Sequence, residues 1–405
     1  MNIPFSPPYI DEDVINEVID SLKSGWITTG PKVKALEDGI AEYTGAPKVV
    51  AVNSWTSGAI LSLRWLGLKE GDEVIVPAYT YCATAMAVMD AGGVPVMVDI
   101  NQDISIDVDS IRKAITSKTK AILPVDVGGW PCDYSAIIDL VNEPGIRKMF
   151  TANSDVQSKI GRIMIISDAA HSFGATADGR SMGTTGDINI FSLHAVKNLT
   201  SAEGGAICLN LPIPFDNEEI YKLFRVLSLN GQTKDALDKA KAGGWRYDII
   251  AHGLKINMPD MNAAVALAQL RKYDYLLMER KRVFYRYCAA LSKHDWAILP
   301  AQDRENQTSS YHIFALRIKG ITESQRDKII EEIAVSGVAV NVHYIPMPML
   351  TLFKNLGYDI NKYPISYDTY IREISLPIYP QLTDDQVDFV INSLENAYTK
   401  ILNNA

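Results

Sequence analysis

The chain has 405 residues, more than one small core can use and enough for two or three domains at roughly 100–200 residues each. Its 47% hydrophobic and 21% charged residues exclude a disordered chain, and a net charge of −9 without a basic stripe excludes the usual nucleic-acid binders. Cys82, Cys132, Cys208 and Cys288 form neither a CxxC pair nor a cluster with histidine, so no disulfide framework and no metal site is expected.

The start, Met1 to Pro8, is proline-bearing and extended, without a basic region followed by an apolar one. No apolar run reaches the roughly 18 residues of a membrane span, and the expectation is a cytoplasmic protein that makes no membrane contact. Asp11 to Lys23 has helical spacing, with Val14, Val18, Ile19 and Leu22 on one side and a stop at Ser24-Gly25. Gly30-Pro31 opens a second helix towards Tyr43. Strands and helices then alternate: strand 49–52, helix 56–66, strand 73–76 closed by Pro77, helix 83–91, strand 94–98, a helix from Val108, strand 121–125 and helix 134–141. Three more strands are expected at 163–166, 188–191 and 206–209. Short apolar strands separated by amphipathic helices predict an α/β fold with a largely parallel sheet covered on both faces.

Two stretches interrupt the alternation, Thr151 to Gly161 and Asn230 to Asp248, and both read as surface or lid-like insertions. A single helix from Pro259 to about Leu291 is expected to lead into a smaller C-terminal α+β domain, giving a division into 1–257 and 258–405. Within that domain 311–317 and 338–342 read as strands and 383–402 as a closing helix.

Chemistry concentrates just beyond the strand ends, where open α/β sheets place ligands. Lys197 follows the strand at 188–191 and precedes Gly204-Gly205, while Asp168 ends the strand at 163–166. A lysine amine can hold an aldehyde as a Schiff base, and a carboxylate can keep a ring nitrogen protonated so that the ring withdraws electrons. The pair therefore suits pyridoxal 5'-phosphate (PLP). Between the first strand and its helix lies Asn53-Ser54-Trp55-Thr56, where unpaired N–H groups of Trp55 and Thr56 can meet a phosphate. Plain capping by Ser54 or Thr56 explains the same residues. Ser192 can donate its hydroxyl to that phosphate or to a neighbouring strand end. Tyr81 can cover a ring or join the core. His171, three residues after Asp168, can bond that aspartate, the cofactor's ring hydroxyl or another structural partner.

These pieces, in this order at successive strand ends, resemble the DegT/DnrJ/EryC1/StrS family, the nucleotide-sugar aminotransferases of PLP fold type I. The resemblance spans nearly the whole chain and rests on Ser24-Gly25-Trp26-Ile27-Thr28-Thr29-Gly30-Pro31, Asn53-Ser54-Trp55-Thr56, Val76-Pro77-Ala78-Tyr79-Thr80-Tyr81, Asp168-Ala169-Ala170-His171, Ser192-Leu193-His194-Ala195-Val196-Lys197, Glu203-Gly204-Gly205 and Gly253-Leu254-Lys255-Ile256-Asn257-Met258. It implies that Lys197 carries the cofactor, Asp168 pairs with its ring nitrogen, Tyr81 stacks on the ring and His171 lies beside it. Ser192 and the Trp55 and Thr56 amides would hold the phosphate, completed by Lys255 or Asn257 from a second copy in a homodimer.

The same resemblance implies transfer of an amino group from glutamate to a nucleotide-linked keto-sugar, a 4-keto-6-deoxy hexose or else a 3-keto sugar, within amino-sugar and surface-polysaccharide synthesis. Arg246, His343 and Tyr344 are its candidate sugar-nucleotide contacts. Dehydratases of this fold carry histidine in place of the lysine, so Lys197 favours amino transfer; a dehydratase or lyase, or a PLP-binding regulator without turnover, is the alternative. Two positions depart from the family pattern: Trp55 stands where a small residue is usual, and Asp126 lies near a position where histidine is common.

Overall fold

A computed structural model of the chain describes residues 1–234 and 245–402. The strands of the main sheet are β1 (Lys48–Val52), β2 (Glu73–Pro77), β3 (Val94–Val98), β4 (Thr119–Ile122) and β5 (Met164–Asp168). After a small hairpin of β6 (Thr176–Ala177) and β7 (Arg180–Ser181), the sheet is completed by β8 (Ile188–Ser192) and β9 (Gly205–Leu209). Their order is β1-β9-β8-β5-β4-β2-β3. All neighbours are parallel except β9, which runs antiparallel to both β1 and β8. The expected parallel sheet is thus present with one reversed strand. Because β8 and β9 are joined by a short excursion and not by a crossover helix, they pair antiparallel, and that excursion carries Lys197.

Residues that are almost wholly buried on both faces, such as Val50, Val74, Ile75, Ile122, Ile165, Ile166, Ile190 and Ile207, explain why the strands read as continuous apolar runs. Helices cover both faces. α1 (Glu12–Ser24) is capped by Asp11 and ends at Gly25, α2 (Pro31–Thr44) starts with proline in its first turn, and α3 (Trp55–Leu66) and α4 (Ala83–Asp90) follow β1 and β2. The apolar side of α1 differs from the expected one. Val14 is buried, whereas Ile15, Ile19 and Leu22 are exposed.

The single helix expected from 259 to 291 is two helices, Asp260–Leu270 and Tyr273–Leu291, broken at Lys272 where ψ is 17°. The first packs against α1 and α2, and Ala263 and Ala266 belong to the core beneath the main sheet. Its Asp260 carboxylate accepts the N–H groups of Gly30, Lys32 and Val33 at 2.8, 3.1 and 2.9 Å, closing the N-terminus of α2 from outside. The division expected at 257/258 therefore falls before a helix whose packing ties it to the large sheet. A second core forms around the next helix, with Val283, Phe284, Tyr287, Phe314, Leu316, Ile374 and Leu394.

That smaller unit holds a three-stranded antiparallel sheet of β10 (Ala297–Ile298), β12 (Phe314–Ile318) and β13 (Glu373–Leu376), with helices Glu323–Val335 and Asp384–Leu402 against it. β11 (Gln307–Thr308) instead pairs with β6 and ties the smaller unit to the larger one. The strand expected at 338–342 is only two isolated bridges, Ile3 with Val338 and Asn341 with Ser375. The strand expected at 311–317 begins at Phe314. Residues before it bend over Gly128-Gly129, where Ser310, His312 and Ile313 N–H groups bond the glycine carbonyls. A Cβ on Gly129, whose φ is +91°, would stand 2.1 Å from Ser310 Oγ, so this approach needs glycine there.

The expected insertion at 151–161 folds into a helix, Asp155–Ile160, capped by Ser154 and anchored to the end of α3. Of the stretch 230–248, residues 235–244 lie outside the described residues. Its flanks pair antiparallel through Gln232 and Ile249.

Candidate active site

The C-terminal ends of β1, β2, β5 and β8 open onto one cavity of about 370 Å³. β5 delivers Asp168, almost wholly buried, whose Oδ2 accepts the Thr84 hydroxyl at 2.9 Å and whose Oδ1 accepts the Ala170 N–H at 3.3 Å. Burial raises this carboxyl to about 7 against the pull of Thr84, Ala170 and the nearby Lys197. Lys197 sits in the turn after β8, its N–H bonded to His194 O at 2.9 Å. Its amine, withdrawn from water, is lowered to about 8, with Asp168 opposing the shift. A lysine and a carboxylate that burial pushes towards each other's range mark a chemical site.

At the opposite wall α3 begins. Ser54 caps it by accepting Ser57 N–H at 3.1 Å, which leaves the N–H groups of Trp55 and Thr56 without an acceptor in their own helix. Capping and anion binding are thus compatible here, on different N–H groups. Gly205 lets β9 pass against this turn, since a Cβ there would lie 2.6 Å from the Ser54 carbonyl carbon. Ser192, at the end of β8, lines the same cavity. Trp55 is 6% exposed and packs among the aliphatic residues beside the sheet, so its bulk lies in the core while its amide remains at the helix start.

Tyr81 and Tyr344 form the rim, their rings 6.0 Å apart, with Tyr81 60% exposed. His171 is buried beside them. Gly128 N–H donates to its Nδ1 at 3.2 Å, so its Nε2 carries the proton and donates to Tyr344 Oη at 3.0 Å. Burial and Lys197 hold His171 well below its ordinary pKa, keeping it neutral. His343 also lines the cavity.

Of the residues singled out from sequence, Trp55, Thr56, Tyr81, Asp168, His171, Ser192, Lys197, His343 and Tyr344 share this cavity. Three do not. Lys255 bonds the Asn257 side chain, and Asn257 reaches Thr29 Oγ1 at 2.6 Å, both away from this cavity, with Asn257 lining a separate surface pocket beside Thr29 and Arg225. Arg246 is exposed, with its guanidinium 5.0 Å from the Trp245 ring. Asp126 is turned away into a buried network with Cys132 N–H, Tyr134 Oη and Ser172 Oγ at 3.0, 3.0 and 2.7 Å, so it shapes the wall without facing a substrate.

Several lining residues gave little sequence signal. Thr84 belongs to the segment that carries Tyr81, but its bond to Asp168 joins residues 84 apart in the chain. His312 lies with its ring 4.4 Å from and tilted 48° to that of His171 and bonds Asn198 at 2.8 Å, from a stretch that reads as strand. Phe5 reaches the cavity from the N-terminal segment and stacks on His343 at 5.5 Å.

The donor set fits PLP. It offers an amine, a buried carboxyl near enough to that amine to feel its charge, and free amides at a helix start.

Comparison with known proteins agrees. The model of the DegT/DnrJ/EryC1/StrS aminotransferase family matches residues 8–395. The chain is 36% identical to the uncharacterized protein MJ1066 of Methanocaldococcus jannaschii, over 96% of this chain and 97% of that one. It is 33% identical to the spore coat polysaccharide biosynthesis protein SpsC of Bacillus subtilis, over 97% and 96%. A putative sugar aminotransferase of Streptococcus pneumoniae, Spr1654, superposes in its PMP form with a TM-score of 0.95 at 45% identity, covering 99% of this chain and 100% of that one. Its PLP form gives 0.94 at 43% identity with the same coverage. This protein is a PLP-dependent enzyme of fold type I, and it belongs to the DegT/DnrJ/EryC1/StrS aminotransferase family.

Proposed function

We propose that the enzyme moves an amino group from glutamate to the keto carbon of a nucleotide-linked sugar, a 4-keto-6-deoxy hexose, in the synthesis of a surface polysaccharide. The observation that carries this reading is the meeting of Lys197 and Asp168 in one cavity, each shifted towards neutrality by burial. The resemblance to a spore coat polysaccharide protein supports the pathway setting. The sugar nucleotide itself is supported by the aromatic lining of Tyr81, His343 and Tyr344, which offers rings and polar atoms to a base or sugar.

PLP, when bound, supplies an aldehyde that receives the amino group and a ring that delocalises the electrons of a broken C–H bond. Asp168, fixed by Thr84, holds the proton on the ring nitrogen. Lys197 Nζ, with its basicity lowered, takes the Cα proton of the amino acid and later returns a proton to the sugar carbon. The Trp55 and Thr56 amides and Ser192 Oγ hold the phosphate, and Lys255 and Asn257 of a second copy close that site. Tyr81 covers the ring, and the Tyr344 hydroxyl, already accepting from His171, has its own proton free for an acceptor in the cavity.

The test is incubation with glutamate and a panel of nucleotide-linked keto-sugars, followed by mass spectrometry. The expected product has the carbonyl oxygen replaced by an amine. Consumption of a keto-sugar without an amino product would establish dehydratase or lyase chemistry instead, and an unchanged cofactor spectrum on adding glutamate would overturn the amino donor.

A further inference from the structure

His343 meets the cavity with one edge of its ring and is tied at the other. Its Nδ1 lies 2.8 Å from Ser375 Oγ, and Ser375 Oγ in turn bonds Glu373 Oε1. The second oxygen, Glu373 Oε2, accepts the backbone N–H of His343 at 2.9 Å. Ser375 and Glu373 are fully buried in β13. His343 Nε2 has no hydrogen-bond partner among the described residues, so it is the polar atom this ring can offer to a ligand.

We propose that Glu373 and Ser375 form a two-step proton relay that sets the tautomer of His343 and so decides whether its Nε2 donates to, or accepts from, the sugar acceptor. The inference rests on the aminotransferase reading above and names positioning residues for its second half.

The chain of donors has only two consistent directions. With Glu373 protonated, its O–H donates to Ser375 Oγ, the Ser375 hydroxyl donates to His343 Nδ1, and Nε2 carries the imidazole proton. With Glu373 ionised, Ser375 donates to the carboxylate, accepts from Nδ1–H, and Nε2 presents a bare lone pair. The backbone N–H of His343 bonds the other carboxyl oxygen in both states. On ionisation the Glu373 proton passes to Ser375 Oγ as the Ser375 proton passes to Nδ1, and the Nε2 proton leaves to solvent in the cavity, so one proton is released and the ring stays neutral.

The surroundings place the switch near neutral pH. Burial raises Glu373 to about 8, opposed by Ser375, the His343 amide, Arg326 from helix Glu323–Val335 and Arg317 from β12. Tyr79, which donates to His343 O at 2.7 Å, and Tyr344 also face this carboxyl. His343 itself is lowered to about 4 by burial and by Lys197, so it stays neutral throughout and only its tautomer changes. Below about pH 8 the donor form of Nε2 faces the cavity, suited to an oxygen of the keto-sugar.

The test measures the KM for the keto-sugar from about pH 6 to pH 9. The wild-type KM should rise roughly tenfold as Glu373 ionises, the size of one lost hydrogen bond. Glu373→Gln should hold KM low and flat. The His343 amide takes the Gln carbonyl oxygen, which turns its NH2 towards Ser375 and mimics the protonated acid. Ser375→Ala should make KM flat with pH, because His343 Nδ1 then has no link to Glu373, while retention of the cofactor's absorption band shows that the site is folded. Superimposable KM curves for wild type and Ser375→Ala overturn the relay alone. A wild type that aminates no keto-sugar overturns the aminotransferase reading and the relay with it.

Discussion

At Asp168 two demands conflict. A carboxylate is wanted beneath a protonated ring nitrogen, yet burial without that ring drives it to about 7. Its ordinary value is 3.8, so the folded, cofactor-free chain binds a proton there that the unfolded chain has already lost. Stability contributed at low pH is therefore lost as pH rises from about 4 through about 7, at most about 4 kcal/mol for a displacement of this size. Cofactor-free Asp168→Asn should lack this loss and unfold at higher urea than cofactor-free wild type at pH 8, with the difference vanishing near pH 4. The same substitution should depress amino transfer, because a neutral amide cannot hold the ring proton. Lys197→Ala should abolish the cofactor's protein-linked absorption and lower turnover by at least about 100-fold, the scale of a lost general acid–base group. These two residues were legible in sequence because each closes an apolar strand or follows one. Thr84, His312 and the Glu373–Ser375 pair were not, since their roles come from contacts between strand ends and domains that no local pattern encodes.

Most elements of the main sheet could be read from apolar runs and their turns, and departures occurred where packing overrode periodicity. The stretch 259–291 keeps helical spacing across Arg271-Lys272, so its break is invisible to pattern; it arises where the chain passes from the large core to the small one. The stretch 338–342 has strand composition but finds only single bridges on each side. The polar run 151–161 reads as a surface or lid-like insertion because its buried polar residues resemble solvated ones. Gln157 is fully buried, with Nε2 bonded to Leu66 O and Gly67 O at 3.2 and 3.3 Å and Oε1 accepting Asn153 N–H at 3.0 Å. Gln157→Ala should cost about 1–3 kcal/mol in urea denaturation, because it strands buried partners at the end of α3. It should leave the absorption of bound cofactor as in wild type, which distinguishes an anchor from a lid over the site.

For the whole molecule, the surface carries features that a single chain leaves unexplained. Ile15, Ile19 and Leu22 are 42%, 38% and 53% exposed along one side of α1, and Ile249 and Ile250 are 53% and 58% exposed in the stretch leading to Lys255. An apolar stripe at helical spacing facing water marks a contact surface. The second copy proposed above would cover it and bring its exposed Lys255, bonded to Asn257 outside the Lys197 cavity, to the neighbouring phosphate site. A shared site makes a prediction that no monomeric arrangement can meet. Lys197→Ala chains and chains carrying Lys255→Ala with Asn257→Ala should each be poorly active alone. Mixed by co-expression, half of the dimers pair one chain of each kind, and in these one of the two sites combines an intact Lys197 with an intact Lys255 and Asn257. Activity should then recover to about a quarter of the wild-type value per chain, as statistical pairing of an isologous dimer requires. Recovery absent from mixed dimers verified by mass spectrometry would mean that each chain completes its own phosphate site, and the outward-facing pair would be left without a role in catalysis.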